Sequence, residues 1–474
     1  MKEKALPFGE GLSFLRTKFM YHLEDTIAAI ATPAGVGGLG IVRISGDEAF
    51  PIAGRLFMTA KPLDRRRQIL FGKFKNPKTG EILDEGLLLV MPKPHSYTTE
   101  DVIEFHVHGS PALLEQLMEI LVDLGARLAE PGEFTYRAFL HGRLDLAQAE
   151  AVETMVSAQG DAARRQALKQ LTGGLSAHLE PIEEVLKSLY LKIEARLEFS
   201  DDGIPSLDQE KFGKEVGGVK EELRKLLESY QQGKVIREGL AVALVGPPNV
   251  GKSSLLNALL GTSRAIVTPI AGTTRDVVEG EIRLKGVRIR LFDTAGIREA
   301  KNVVEVEGIR RSRQVIEEAD VIFWLVDAAH PQESLKELKE ALLPKDRTHY
   351  LFNKMDLAKT KEPWKGSNLE KSRCIALSCE TGEGLTQVTE KIEKLIQTPL
   401  GSEDVVLTSA RHQQEIQKAF QNLERLQGLI SAKQPFEIWA EELREAALSI
   451  GRIRGRNLPA TAFEDIFMKF CIGK

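Results

Sequence analysis

Short apolar, β-branched segments alternate with glycine and proline turns between residue 25 and about residue 142. Four of these segments predict strands, and they cover residues 26–31, 40–45, 86–91 and 102–108. Residues 111–124 carry apolar positions at helical spacing instead. Short strands interrupted by a helix predict a small α+β domain over residues 25–142, after an N-terminal extension over residues 1–24.

The pattern changes to helical spacing over residues 143–232 and again over residues 401–474. Gly173-Gly174 and Pro181 predict breaks in the first stretch, and a helix over residues 208–232 is expected to end near Gly233. We expect the two stretches to pack together as one helical domain, because an insertion is tolerated where the chain ends of its host lie close at a surface.

Residues 233–400 lie between these stretches and alternate apolar strands with charged helical segments. The predicted strands have the sequences AVALVG, RIRLFDTAG, DVIFWLVDA, HYLFNKMD and CIALSCE. This alternation predicts a doubly wound parallel sheet inserted into the helical domain. The whole chain is therefore expected to be a multidomain α/β and α+β protein.

Composition and charge exclude several classes of protein. The 474 residues have a net charge of −4, so contacts with RNA are expected from local basic patches rather than from the whole surface. Cys374, Cys379 and Cys471 have no metal-binding spacing, and no apolar run reaches the length of about 20 residues that a membrane span needs. The first twenty residues lack a secretory apolar core. These features predict a cytoplasmic protein without membrane contact.

Four short motifs follow one another in the central segment. They are Gly-Pro-Pro-Asn-Val-Gly-Lys-Ser at 246–253, Gly-Thr-Thr-Arg-Asp at 272–276, Asp-Thr-Ala-Gly at 293–296 and Asn-Lys-Met-Asp at 353–356. The first follows a predicted strand and opens a predicted helix, which is the context of a phosphate-binding loop. In this order the motifs predict a Ras-like G domain that binds and hydrolyses GTP.

The first three motifs predict the phosphate and metal contacts. Lys252 is expected to reach the β- and γ-phosphates, and the hydroxyl groups of Ser253 and Thr274 are expected to bind Mg²⁺. Asp293 is expected to hold the same ion through water, and the Gly296 N–H to contact the γ-phosphate. Because these contacts require GTP, they can act as a switch.

The fourth motif predicts the choice of base. The Asp356 carboxylate can accept hydrogen bonds from the ring N–H and the exocyclic amine of guanine, a donor pair that adenine lacks. Asn353 belongs to the same motif, and the stem of Lys354 is expected to lie along the base. Residues 378–380 follow the next strand and form the expected last base loop.

The third motif lacks the glutamine that orients the attacking water in many small GTPases. Ile297 stands at that position and cannot form a hydrogen bond through its side chain. Glu305 and Glu307 lie a few residues downstream, and the residues alone leave the choice between them open. Arg275 and Arg298 are also near, but no arginine finger can be assigned.

Segments inside and outside these motifs are similar to one protein family. They comprise the four motifs, the isoleucine after the third, and residues 31–33, 37–43, 131–134, 143–150 and 470–474. With them the chain resembles the MnmE (TrmE) family of tRNA-modification GTPases from about residue 25 to residue 474. The resemblance implies a tetrahydrofolate-binding N-terminal domain, a helical domain and an inserted G domain of the TrmE type.

For the G domain, the resemblance implies a homodimer whose two G domains pair across their nucleotides. A K⁺ ion would supply the positive charge of an arginine finger, and its implied ligands are Asn249, Thr268, Ile270 and Thr273. The resemblance also favours Glu305 over Glu307 as the catalytic carboxylate. Motifs and resemblance together predict GTP contacts from Asn249, Val250, Gly251, Lys252, Ser253, Ser254, Thr268, Pro269, Ile270, Ala271, Gly272, Thr273, Thr274, Asp293, Thr294, Ala295, Gly296, Asn353, Lys354 and Asp356.

Glu104, His106 and His108 share one face of a predicted strand. The residues alone allow a metal site or a half-solvated sheet face, and the resemblance adds a folate site at the dimer interface. The implied contacts with a 5,10-methylene-tetrahydrofolate donor come from Arg43, Glu104, Arg143 and Lys474. Cys471 is expected either to pack near the C-terminus or to act beside the folate.

The resemblance implies that the chain works with the FAD-dependent partner MnmG. Together they would convert C5 of the wobble uridine (U34) of certain tRNAs to carboxymethylaminomethyl- or aminomethyluridine. Two alternatives stay open: a ribosome-assembly GTPase without modification chemistry, and a folate-dependent aminomethyl transferase that acts without MnmG. Three arginines are expected to contact tRNA phosphates or to pair with Glu441, Glu442 or Glu445, and they are Arg452, Arg454 and Arg456.

Overall fold

The computed structural model describes residues 24–198, 207–262, 280–293, 315–340, 343–396 and 406–474. They form two compact units. The first is made of the described residues within Met1–Ser157, Ala167–Arg224 and Gln414–Lys474, and the second of those within Ala158–Gln166 and Lys225–Gln413. The predicted domain boundaries near residues 142, 232 and 400 stay a prediction.

The first unit contains a mixed sheet. Its described strands are β1 (Ile27–Ile30), β2 (Gly37–Ser45), β3 (Phe57–Met58), β4 (Gln68–Lys75), β5 (Ile82–Met91), β6 (Val102–Gly109) and β7 (Arg127–Leu128). They lie in the order β3-β4-β5-β6-β2-β1-β7, and β1 and β7 form the parallel pair in an otherwise antiparallel arrangement. Helices α1 (Ala49–Leu56) and α2 (Pro111–Asp123) pack against one face, which confirms the predicted α+β architecture.

Strand β2 contributes to both faces of this sheet. Val42 and Ile44 are buried in the core beneath the helices, whereas Arg43 lies on the opposite face. Successive side chains of a strand point to opposite faces, so one strand both builds the core and positions an arginine outside it. Arg43 is directly opposite Glu104 of β6 in the antiparallel register.

Helices make up most of the described residues that follow β7. They are α3 (Glu133–Leu140), α4 (Leu146–Ser157), α5 (Asp161–Leu171), α6 (Gly174–Glu198), α7 (Gln209–Glu238), α8 (Lys252–Thr262), α9 (Pro331–Glu340), α10 (Leu385–Leu395), α11 (Ala410–Ser431), α12 (Phe436–Ile453) and α13 (Ala460–Phe467). In the first unit, α6 packs along α12, and Tyr136 of α3 contacts the ring of Phe467 at a centroid distance of 5.1 Å. Within the described part of the chain, no helix is long and apolar enough to span a membrane.

The predicted break at Pro181 is wrong, because α6 continues through this residue. A proline inside a helix removes one backbone hydrogen bond and costs about 3 kcal/mol. Leu179, Ile182 and Leu186 around it are buried, and this apolar packing offsets the loss.

The predicted end of α7 near Gly233 is also wrong, because the helix continues to Glu238. A Cβ atom at residue 233 would lie 2.0 Å from the Leu407 carbonyl oxygen, so this glycine permits close packing rather than ending the helix. Gly239 follows the helix with a φ of 82°, the left-handed conformation that is common just after a helix C-terminus.

The second unit contains the G-domain sheet. Its described strands are β8 (Leu240–Val245), β9 (Gly280–Leu284), β10 (Val287–Asp293), β11 (Val321–Asp327), β12 (Thr348–Asn353) and β13 (Cys374–Ala376). They lie in the order β13-β12-β11-β8-β10-β9, and all neighbours are parallel except β9 and β10. The edge strand β9 was not among the predicted strands. Lys285 and Gly286 join it to β10, both with positive φ, as in a tight hairpin turn.

Helices cover both faces of this second sheet. In β8, Val242 and Leu244 belong to one core with α8 and α10, whereas Ala243 and Val245 belong to another core with α9. Burial on both faces explains why the central strands are continuous apolar runs. The doubly wound fold is therefore confirmed, with an antiparallel strand at one edge.

His349 of β12 is a buried histidine. Burial lowers the pKa of His349 from 6.5 to about 4, and the positive charges of Lys391 and Arg373 contribute to this decrease. The negative charge of Glu370 has the opposite, smaller effect. The unfolded chain binds a proton near the ordinary pKa. The stability that depends on a neutral His349 is therefore complete above about pH 6.5, and it decreases as the pH falls toward 4.

We expect His349→Phe to reduce this acid sensitivity. Between pH 7 and pH 5, the natural protein should lose about 1–2 kcal/mol of unfolding free energy that the variant retains. Urea unfolding at both pH values, followed by tryptophan fluorescence, measures the difference. The same pH dependence in both proteins would contradict the assignment.

Candidate functional site

The loop between β8 and α8 surrounds the ammonium group of Lys252. Lys252 is buried, and its Nζ donates hydrogen bonds to the carbonyl oxygens of Gly246 at 2.9 Å and Pro247 at 2.6 Å. Gly246 has a φ of 149°, and a Cβ atom there would lie 2.7 Å from the Leu325 carbonyl oxygen. The loop therefore has the tight backbone and central lysine of a phosphate-binding loop at a helix N-terminus.

Ser253 and Asp293 form the side of the site that suits a metal ion. Ser253, in the first turn of α8, donates from Oγ to Oδ2 of Asp293 at 2.8 Å. Asp293 is the last residue of β10. Hydroxyl and carboxylate oxygens are the ligands that Mg²⁺ prefers, so this pair fits the predicted magnesium site.

Asn353 connects the phosphate loop to the base loop. Its Nδ2 donates to the Val250 carbonyl oxygen at 2.9 Å, and its Oδ1 accepts from the Cys379 N–H at 3.1 Å. Gly251 has a φ of 96°, and a Cβ atom there would lie 2.2 Å from Asn353 Nδ2. The side-chain amide of Asn353 thus holds the phosphate loop and the base loop together. Glycine is required at position 251 because this amide lies so close to its Cα atom.

Asp356 is an exposed carboxylate in a short 3₁₀ helix, Met355–Leu357. Ser378 Oγ donates to Asp356 Oδ1 at 2.5 Å, so residues 378–380 do reach the base-reading motif. Burial raises the pKa of the neighbouring Cys379 thiol to about 11, and the loop therefore carries no thiolate at neutral pH. A carboxylate held in this way can accept the two donors of a guanine edge.

Asp327 is a site residue that was not predicted from the sequence. Its Oδ2 lies 2.7 Å from Nζ of Lys354, whose φ is 66°. Although burial works against the charged form, hydrogen bonds from Lys354 and from the Ala329 backbone lower the pKa of Asp327. Asp327 could have been identified from its position, because it is the last residue of β11, as Asp293 is of β10 and Asn353 is of β12. Parallel strands present their carboxyl ends at one edge of the sheet.

Several predicted residues lie outside the described part of the chain. They are Thr268, Pro269, Ile270, Ala271, Gly272, Thr273, Thr274, Thr294, Ala295, Gly296, Ile297, Glu305 and Glu307, together with Arg275 and Arg298. The second magnesium hydroxyl, the K⁺-binding loop and the catalytic carboxylate therefore stay predictions.

A second group of charged residues lies in the first unit, on the sheet face opposite α1 and α2. Arg43 donates from Nε to Oε1 of Glu104 at 2.8 Å, and Nε2 of His106 lies 3.1 Å from Oε2 of the same carboxylate. Burial favours the neutral acid, but the positive charge of Arg43 and the hydrogen bond from His106 lower the pKa of Glu104 below its usual value. Glu104 is therefore an anion at neutral pH.

The C-terminus docks beside this pair. Nη1 of Arg43 donates to the Gly473 carbonyl oxygen at 3.2 Å. Gly473 is buried with a φ of 91°, and a Cβ atom there would lie 2.6 Å from the Ile30 carbonyl oxygen of β1. Burial and the charge of Arg43 lower the pKa of Lys474, against the effect of Glu104. Lys474 thus belongs to the same site, whereas the Cys471 side chain is exposed.

Arg143 joins the group through Tyr97. Its Nη1 donates to the Tyr97 carbonyl oxygen at 3.0 Å, and its guanidinium carbon lies 4.7 Å from the centre of the Tyr97 ring. The guanidinium carbon of Arg43 lies 5.8 Å from the same ring and 5.7 Å from that of Phe134. All four residues predicted to contact folate therefore lie in one part of the first unit.

His108 does not join Glu104 and His106. Its Nδ1 lies 2.8 Å from Oδ1 of Asp84 instead. Across the described residues, no three His, Cys, Asp or Glu side chains are grouped closely enough to hold a metal ion. The structure thus gives no support to the metal alternative for this strand.

The three arginines near residue 454 are paired with carboxylates. Arg454 donates to Oε2 of Glu183 at 3.2 Å, and Arg456 contacts the other oxygen of that carboxylate. Arg452 lies 3.5 Å from Glu415 and 3.9 Å from Glu445. Of the three predicted partners, Glu445 is thus observed, whereas Glu441 and Glu442 pair with Arg444 and Arg425. Packing of α6 against α12 brings Glu183 close to Arg454 and Arg456, and the local sequence gives no sign of this contact.

A phosphate loop, a hydroxyl–carboxylate pair suited to Mg²⁺ and a guanine-reading motif at the ends of parallel strands define a G domain. The unit is therefore the nucleotide-binding part of a P-loop GTPase.

Comparisons with known proteins extend this assignment over nearly the whole chain. The family model of the MnmE helical domain matches residues 146–471, and that of the GTP-binding protein TrmE N-terminus matches residues 26–143. The tRNA modification GTPase MnmE of Acetivibrio thermocellus is 40% identical over 458 residues, 96% of this chain and 100% of that protein. The protein of the same name from Aquifex aeolicus is 43% identical over 459 residues, 95% of this chain and 100% of the relative.

Among solved structures, the G domain of the T. maritima FeoB iron transporter is 32% identical, with a TM-score of 0.26, and the match covers 33% of this chain and 99% of that one. The family itself is shown by the sequence matches. The chain belongs to the MnmE family of tRNA modification GTPases.

Proposed function

We propose that this protein uses GTP hydrolysis to drive modification at C5 of the wobble uridine (U34) in certain tRNAs, with a reduced folate as one-carbon donor. The observation that carries the proposal is the charged group of Arg43, Glu104, Arg143 and Lys474 in the unit outside the G domain. The tRNA modification named in its relatives supplies the reaction.

The donor set of this group fits a folate. The anionic Glu104 can accept from the amine and the ring N–H of a pterin, as Asp356 does for guanine. Arg43 and Lys474 lie beside Glu104 and would stabilise its negative charge, and Arg143 would provide positive charge for a carboxylate of the folate tail. When bound, the methylene-tetrahydrofolate would supply the one-carbon unit. The residues of this chain would bind and orient it.

In the G domain, Lys252 and the loop amides would hold the phosphates, and Ser253 and Asp293 would hold Mg²⁺. Mg²⁺ and K⁺, when bound, would neutralise charge on the phosphates in the transition state. Asn249 lies in the loop with a φ of 59°, and the proposal assigns it to K⁺. Glu305 would orient the attacking water. Pairing of two G domains in a homodimer would complete the site, and the reaction would take place in the cytoplasm with MnmG as the FAD-dependent partner.

Exchanging K⁺ for Na⁺ is expected to slow GTP hydrolysis by at least about tenfold, because the cation stabilises charge that develops between the β- and γ-phosphates. Glu305→Ala is expected to lower kcat by about 10²-fold in K⁺ while GTP affinity stays unchanged. Phosphate release measured in both salts tests the two effects. Equal rates in K⁺ and Na⁺ would show that Asn249 is not a K⁺ ligand needed for hydrolysis. Full activity of Glu305→Ala would show that the Glu305 carboxylate is not catalytic.

Titration of the full chain with tetrahydrofolate tests the proposed function. We expect binding by the natural protein and a loss of at least about tenfold in affinity with Arg43→Ala, which removes a charge-assisted contact. Arg66→Ala is the matched control, since Arg66 is 81% exposed and pairs with Asp64 at the surface. Absence of binding by the natural protein, or equal affinity in Arg43→Ala, would favour a GTP-dependent ribosome-assembly factor.

The need for the partner is tested separately. Purified protein with tRNA, GTP and methylene-tetrahydrofolate is expected to form modified uridine only when MnmG is added. Product formed without MnmG would instead indicate a self-sufficient folate-dependent aminomethyl transferase.

A further inference from the structure

We propose that Tyr97 is a positioning residue of the folate site, whose ring holds the guanidinium groups of Arg43 and Arg143 where the ligand needs them. The inference rests on the proposed function of this site. Its basis is one aromatic ring that contacts two of the four charged residues, at 4.7 Å for Arg143 and 5.8 Å for Arg43. Cations at such distances are attracted to the face of the ring.

Arg143 depends on Tyr97 more than Arg43 does. Within the described residues, the side chain of Arg143 has two contacts, the Tyr97 carbonyl oxygen and the Tyr97 ring. Arg143 is otherwise exposed. Arg43 is held as well by Glu104 and by the Gly473 carbonyl oxygen. Without the ring, Arg143 would sample many rotamers, and ligand binding would have to order it.

Tyr97 is itself fixed from several sides. Its hydroxyl group shares a hydrogen bond with Thr135 Oγ1 of α3 at 2.9 Å. The next residue, Thr98, bonds through Oγ1 to Ser45 Oγ at 2.7 Å, and its carbonyl oxygen lies 2.7 Å from Nδ1 of His141. A ring held by β2 and α3 in this way can impose its position on the two arginines.

The ring and the hydroxyl group make separable contributions. Tyr97→Phe keeps the ring and loses the bond to Thr135, whereas Tyr97→Leu loses the ring and keeps the backbone carbonyl that Arg143 contacts. In tetrahydrofolate titrations, we expect Tyr97→Phe to stay within about twofold of the natural protein and Tyr97→Leu to bind about tenfold more weakly. Rescue by phenylalanine is the result that a role in cation positioning requires.

A double-mutant cycle shows whether Tyr97 acts through Arg143. In an Arg143→Ala background, Tyr97→Leu should cost clearly less affinity than it does in the natural protein. An equal cost in both backgrounds would overturn the inference, because the ring would then act independently of that arginine. GTP affinity is expected to stay unchanged, and measurement of the unfolding temperature separates positioning from a loss of fold.

Tyr230→Leu, at a half-buried tyrosine of α7, is the matched control and should leave folate affinity unchanged. If Tyr97→Leu lowers the unfolding temperature, Tyr97→Met gives the same comparison with an unbranched side chain that adapts more easily to the space left by the ring and has no aromatic face. If the natural protein binds folate and both Tyr97→Leu and Tyr97→Met bind it equally well, the role of Tyr97 is refuted but the proposed function is not. Absence of folate binding by the natural protein would refute the proposed function as well.

Discussion

Asp356→Asn is expected to weaken GTP binding by about 10³-fold or more and to transfer the preference to xanthosine triphosphate. Ser378 Oγ donates a hydrogen bond to this carboxylate at 2.5 Å and fixes its orientation. An amide loses one of the two acceptors that guanine needs, and sites built on such hydrogen bonds discriminate strongly. The new amide N–H can instead donate to the C2 carbonyl of xanthine. Binding of fluorescent GTP and xanthosine triphosphate analogues measures the exchange.

Asp346→Asn provides the control, since Asp346 is an exposed aspartate of the same unit that has no place in the site. It should leave both affinities unchanged. An Asp356→Asn protein that still preferred GTP would show that another group reads the base.

Gly473→Ala is expected to weaken tetrahydrofolate binding by about 10- to 100-fold while GTP hydrolysis continues at the natural rate. Gly473 has a φ of 91°, and an added Cβ atom would lie 2.6 Å from a backbone oxygen of β1, which cannot move aside easily. The C-terminal segment would therefore leave its position, and Arg43 would lose its bond to the Gly473 carbonyl oxygen while Lys474 moved away from Glu104. Titration with tetrahydrofolate and a phosphate-release assay test the two expectations together.

Gly428→Ala makes the same chemical change within α11, where a Cβ atom would meet nothing within 4 Å. It should not affect folate binding, and it can stabilise the helix slightly. If Gly473→Ala bound folate as tightly as Gly428→Ala does, the docking of the C-terminus would have no part in the site.

The relative positions of Lys252, Asp293 and Asn353 could be predicted from the sequence because each belongs to a short local motif. The first, third and fourth motifs each begin at or directly after the end of an apolar strand, and parallel strands bring their carboxyl ends to one edge of the sheet. Lys252 and Asn353 therefore lie as expected, even though they are about a hundred positions apart. Asp327 was missed because it belongs to no short motif and acts through Lys354.

The proposed folate site could not be predicted from the pattern of residues alone. Arg43 and Gly473 are separated by 430 positions, and only the packing of the first unit brings them together. Family resemblance supplied Arg43, Glu104, Arg143 and Lys474. Tyr97 carries no charge or motif that would have marked it. The wrong predictions at Pro181 and Gly233 have a similar cause, since tertiary packing overrides the local tendency to break a helix.

We propose that the G domain and the N-terminal charged site of one chain together support wobble-uridine modification. Mass spectrometry of tRNA nucleosides from cells lacking the protein tests this most directly. We expect the C5-modified wobble uridine to disappear from these cells, the natural gene to restore it, and genes that carry Asp356→Asn or Arg43→Ala to fail to do so. Modified uridine at its normal level in the cells lacking the protein would rule out the proposed function.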